Sequence, residues 1–79
     1  MNVELWLNRA RLRIESSLKD GTMFELKSLF PPHEWEELSK GERIALGRCF
    51  SMAVKDGEIE QVERVENGKS RHNRYVKLK

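Results

Sequence analysis

No apolar run in this chain approaches the roughly 20 residues needed to cross a bilayer, which argues against a membrane span. There is a single cysteine, Cys49, so no internal disulfide can form, and a small thiol among apolar residues fits a reducing, cytoplasmic setting. Glu4, Arg9, Arg11 and Arg13 interrupt the first fifteen residues, the wrong pattern for a secretory leader. Glycine-rich phosphate loops, nucleophile elbows and a histidine beside Cys49 are all missing, so phosphoryl transfer, hydrolysis and thiol catalysis lack their constellations. His33, His72 and Cys49 stand at no metal-binding spacing. The expectation is a chain with no catalytic residues, no metal site and no cofactor. Internal repeats and linkers rich in Gly, Ser or Pro are also absent, which predicts one domain over residues 1–79.

What is present is a balanced, charged composition. Hydrophobic residues make up 38% and charged residues 35% of the 79, enough apolar content to fold around a small core. The net charge of +2 is too small to imply nucleic-acid binding. Its distribution is more informative. Lys69, Arg71, Arg74, Lys77 and Lys79 form an acid-free end, whereas Glu58, Glu60, Glu63 and Glu66 make the preceding stretch acidic.

Val3, Leu7, Ala10, Ile14 and Leu18 recur at helical spacing, with Trp6 at the edge of the stripe, and Gly21 is placed to end that helix as a C-terminal cap. Thr22 to Leu26 reads as a very short strand and Leu26 to Phe30 as one helical turn. Pro32 can open another turn carrying His33 to Leu38. Ser39 and Glu42 stand at the spacing of a capping box and start a helix running through Val54, with Gly57 as its stop. On a helical wheel Ala45, Leu46, Cys49, Phe50, Ala53 and Val54 share one face, and Lys40, Ile44, Arg48, Ser51 and Lys55 the other. The rest is a hairpin. Its β-branched residues flank Asn67 and Gly68, which suit a type I′ turn, and a two-residue turn there would set Gln61 opposite Arg74 and Ile59 opposite Val76. The uneven spacing of Ile59, Val62 and Val65 leaves room for a bulge or a longer loop that shifts this register.

Helix, short strand, broken helix, capped helix and C-terminal hairpin is the α+β order of a winged helix, with the capped helix for recognition and the hairpin as wing. The predicted core holds Leu7, Ile14, Phe24, Leu46, Phe50 and Val54.

Phe24, Glu25, Leu26, Lys27, Ser28, Leu29 and Phe30, then Trp35, then Gly41, Glu42 and Arg43, then Leu46, Gly47, Arg48, Cys49 and Phe50 form an F-x-L-K-x-L-F … W … L-G-R-x-F pattern. In this the chain, from Thr22 to Leu78, resembles a family of short winged-helix-like bacterial and phage proteins, a domain of unknown function. The resemblance implies the fold and no particular activity, and it leaves the first helix outside the pattern.

Two functions from different classes are compatible with these features. In the first, the protein binds duplex DNA as a small transcriptional regulator or a mobile-element accessory factor. Lys40, Arg43, Arg48, Lys55, Lys69, Arg71 and Arg74 would meet phosphates, and Arg48, Ser51 or Asn73 would reach base edges. Gly47, costly inside a helix, would be explained by a close helix or DNA approach. In the second, a protein-binding adaptor or inhibitor of the same fold uses the acidic stretches Glu34 to Glu37 and Glu58 to Glu66 against a basic partner. Glu34, Glu36 and Glu37 are otherwise expected to be a solvated acidic face, and the cationic set equally has a plain reading as solvated charge. Leu5 and Leu12, opposite the main stripe of the first helix, form a seam suited to a homodimer.

Overall fold

The computed structural model describes residues 2–65 and 73–78. In chain order it has helix α1 (Val3–Ser17), strand β1 (Met23–Phe24), a 3₁₀ turn (Leu26–Leu29), the one-turn helix α2 (Pro32–Trp35), helix α3 (Lys40–Lys55) and strands β2 (Val62–Val65) and β3 (Arg74–Lys77). This is an α+β fold of three helices and an antiparallel sheet ordered β1-β3-β2.

The two long helices, α1 and α3, start where a side chain can satisfy a free amide group. The Asn2 carboxamide oxygen accepts from the Leu5 amide at 3.1 Å and opens α1. The Ser39 hydroxyl accepts from the Glu42 amide at 3.2 Å while the Ser39 amide donates to the Glu42 carboxylate at 2.9 Å, which is the expected capping box. Pro32 stands in the first turn of α2, where its missing N–H costs nothing.

The end of α1 differs from expectation. The helix stops at Ser17, Leu18 turns extended with its side chain against the core, and Gly21 does not cap it. Gly21 instead takes a φ of 83° in the turn into β1, where its amide donates to the Lys77 carbonyl at 2.7 Å. Thus the glycine serves the sheet rather than the helix. Gly57, with φ 82°, follows the last turn of α3 as expected.

The core is one cluster between α1, α3, the 3₁₀ turn and the helix-facing side of the sheet. Ile14, Leu46 and Phe50 are fully buried at its centre. Tyr75 from the middle strand meets Phe50 edge-on at 4.9 Å between ring centroids, a favoured aromatic geometry. Of the expected core, Ile14, Phe24, Leu46 and Phe50 are buried, whereas Leu7 and Val54 are only half-buried. Trp6, expected at the edge of its stripe, is buried against Phe30 with centroids 5.0 Å apart. The 3₁₀ turn and α2 pack on that flank of α1 and rotate its buried face toward Trp6. Ala45, expected inside, is exposed, because Leu46, Phe50 and Ala53 centre the buried face of α3 away from it.

The hairpin register also differs. Val62 pairs Lys77, Glu63 pairs Val76, Arg64 pairs Tyr75 and Val65 pairs Arg74, so Gln61 does not oppose Arg74. Ile59 never joins the ladder. It follows the end of α3 into the core, 5% exposed, with its amide directed at the Ala53 carbonyl at 3.4 Å, and the strand begins only at Val62. Asn67 and Gly68 lie outside the described residues.

Candidate nucleic-acid interface

The buried positions of α3 recur at Leu46, Phe50 and Ala53, so the opposite side is left to solvent. That side carries Lys40, Ile44, Arg48 and Lys55, all exposed, with Ser51 half-buried among them. Glu42 is the sole acid of α3, and the capping box holds it at the helix start. The Ser39 backbone amide donating to the Glu42 carboxylate holds its pKa below the usual carboxylate value. The outward face of α3 is therefore cationic along its length and free of acid.

Arg43, expected among the phosphate contacts, has a structural engagement. Its guanidinium donates twice to the Trp35 carbonyl, at 3.2 and 3.1 Å, and its carbon lies 5.8 Å from the centroid of the Trp35 ring. It thereby ties α3 to the last residue of α2, sharing a carbonyl that also accepts from the Leu38 amide at 3.2 Å.

Strand parity sorts the wing residues. Val62, Arg64, Tyr75 and Lys77 share the helix-facing side of the sheet, and Glu63, Val65, Arg74 and Val76 the other. Arg64 accordingly lies on the α3 side, donating to the Asn73 carboxamide at 3.1 Å. Asn73 is exposed and lines, with Arg43, Gly47 and Tyr75, a groove of about 370 Å³ between α3 and the sheet. A second groove, of about 300 Å³, lies between Ser51 and Lys55 of α3 and Glu63 and Arg64 of β2. Arg74 is exposed on the opposite sheet face, so the fold does not bring it to α3. Lys69 and Arg71 lie outside the described residues. Arg64 was missed by sequence reasoning because its side of the sheet depends on a register set by Val62 and Tyr75.

Among the described residues nothing lies within 4 Å of a β-carbon placed on Gly47, so no helix of this chain packs closely there. Of the two approaches considered for this glycine, the one within the protein is ruled out.

The acidic turn is not uniformly solvated. The Glu34 carboxylate accepts from the Arg13 guanidinium through both oxygens at 3.1 Å and stands 3.7 Å from Arg9. Arg13 also donates to the Leu29 carbonyl at 3.1 Å and covers the Phe30 ring at 5.1 Å. Glu34 is thus a strut between α1 and α2, while Glu36 and Glu37 are exposed. Leu5 and Leu12 are exposed at 46% and 60% on the outward side of α1. Among the described residues no cluster of three His, Cys, Asp or Glu side chains could hold a metal ion, and no helix is long and apolar enough to cross a membrane.

These features define a small α+β domain that presents an exposed cationic helix beside a two-stranded hairpin. The chain belongs to the family described as domain of unknown function DUF1413, whose model matches residues 10–77 and so takes in the second half of α1 as well as the motif-bearing region. No curated protein and no solved structure matches the chain.

Proposed function

We propose that this protein is a winged helix that binds duplex DNA, acting as a small transcriptional regulator or an accessory factor of a bacterial or phage mobile element. The winged-helix reading is supported by the element order and by a sheet in which the hairpin's second strand lies centrally, pairing with the short strand that follows α1. The observation that carries the function is the outward face of α3, which bears Lys40, Arg48, Ser51 and Lys55 and no acid of its own, with Arg64 and Glu63 across one groove from it and Asn73 at the groove beside Gly47. A helix of that kind fits the width of the major groove, where lysine and arginine meet phosphates and arginine can also read guanine. Arg43 contributes less than its charge suggests, being engaged with Trp35.

The test is fluorescence anisotropy with random and selected duplexes over a salt series. Lys55→Ala weakens binding to all duplexes alike and lowers the salt slope by about one. Arg48→Ala costs about 1 to 3 kcal/mol on a preferred duplex and less on random DNA. Absence of binding at low salt would turn the reading toward the adaptor class. For that class the free acidic groups are Glu36, Glu37, Glu58, Glu60 and Glu63, since Glu34 is held by Arg13. The exposed pair Leu5 and Leu12 supports use as a two-fold dimer on a palindromic site, in which case Leu12→Glu yields a monomer by sedimentation.

A further inference from the structure

The groove between α3 and the sheet gathers features that the protein's own packing leaves unexplained. Tyr75 is 2% exposed, yet its hydroxyl meets no donor or acceptor among the described residues. No sealed side-chain oxygen or nitrogen in that set lacks a partner, so this hydroxyl opens on to the groove that its residue lines. Gly47 lines the same groove from the middle of α3, where glycine destabilises a helix and where no neighbour among the described residues requires one. Any larger side chain would occupy the groove. Glu25 and Lys27 stand at its rim, and neither forms an ion pair with the other or with any described residue. Arg43, held to the Trp35 carbonyl through Nε and Nη2, keeps its Nη1 without an acceptor there.

We infer that this groove binds a small zwitterion with an apolar body, the chemistry of a free apolar amino acid. Its ammonium meets Glu25, and its carboxylate meets Lys27 and the Nη1 of Arg43. Its side chain lies on Leu26, Trp35 and Ile44, with the Tyr75 hydroxyl as a further hydrogen-bond partner. The volume of about 370 Å³ falls within the roughly 300 to 1,000 Å³ of small-molecule sites, which also combine an apolar lining with a few polar groups. A phosphate or any other pure anion would set negative charge against Glu25. The interior of a peptide carries no backbone charge and would leave both rim charges unmet, whereas an amino acid presents both on one carbon. The inference goes beyond the duplex-binding reading and does not depend on it.

Amide NMR shifts of the protein titrated at up to millimolar concentration with L-leucine, L-phenylalanine, isocaproate and isoamylamine test it. At least one amino acid shifts the amides of Ile44, Gly47 and Tyr75 saturably. Isocaproate and isoamylamine, each lacking one charge of leucine, bind at least about tenfold more weakly than the amino acid. Tyr75→Phe keeps the melting temperature of the wild type, because the hydroxyl has no partner among the described residues, and weakens the amino acid about fivefold. Gly47→Leu, which fills the groove with a better helix former, melts no lower than wild type and abolishes the shifts. Absence of saturable shifts with both amino acids overturns the assignment, as does equal binding of isocaproate or isoamylamine. Unaltered binding in Gly47→Leu and Tyr75→Phe would place the ligand elsewhere and overturn it too. Tighter binding of leucine capped at both ends, which carries neither charge, would give the groove to a polypeptide instead.

Discussion

The Arg13–Glu34 contact separates a solvated acidic turn from a structural strut, and the two give different stabilities. Were Glu34 merely solvated, Glu34→Ala would change stability by no more than about 0.5 kcal/mol. In the structure both carboxylate oxygens meet one guanidinium, with side chains 19% and 32% exposed, so the pair is neither dry nor freely hydrated. An exposed pair contributes at most about 1 kcal/mol, and a hydrogen bond to a charged group about 1.5 to 3. Partial exposure places Glu34→Ala at about 1 to 2 kcal/mol. Arg13→Ala should cost about 2 kcal/mol, since it also abandons the Leu29 carbonyl and the Phe30 ring. In a domain of this size each 1 kcal/mol lowers Tm by roughly 4 to 8 °C, well within reach of circular dichroism melts. The double-mutant cycle isolates the pair, with an expected coupling of about 1 kcal/mol that diminishes in high salt. A coupling below about 0.3 kcal/mol would refute the strut, and α2 would then be held by Phe30 and Trp35 packing alone.

Other outcomes follow from the core, the cap and the bare helix surface. Phe50→Ala, at a fully buried position against Tyr75, should lose about 3 to 5 kcal/mol in urea titrations, and a loss below about 1 would mean the face assignment is wrong. Ser39→Ala should lose about 1 kcal/mol with the fold unchanged by NMR fingerprint. The carboxyl of Glu42 titrates below its unfolded value of 4.5, so its stabilisation is full above that pH and is lost as pH falls through the depressed folded value. Glu42→Gln should therefore flatten the acid limb of a stability profile measured between pH 7 and pH 2. Gly47→Ala should stabilise α3 by about 0.5 to 1 kcal/mol in the same melts, because the added methyl meets open space, and destabilisation would show that the backbone there is strained.

Local chemistry was legible in the residues themselves. The capping box at Ser39 and Glu42, the proline-opened turn at Pro32, the stop at Gly57 and the burial of Ile14, Phe24, Leu46 and Phe50 all follow from interactions within a few residues or from a repeat of one helix. The outward placement of Lys40, Ile44, Arg48 and Lys55 followed for the same reason. What depended on segments distant in the chain was decided only by packing. Trp6 is inside because the 3₁₀ turn and α2 lie against that flank of α1. Glu34 is a strut because Arg13 stands across from it, and Arg43 is engaged because the Trp35 carbonyl is within its reach. Gly21 serves β3, not α1. The hairpin register is set where Val62 and Tyr75 must both face the core while Ile59 is drawn in beneath α3, and that register places Arg64 beside α3 and Arg74 behind the sheet. A strand's side-chain period of two makes every such placement depend on a partner strand, whereas a helix supplies its own.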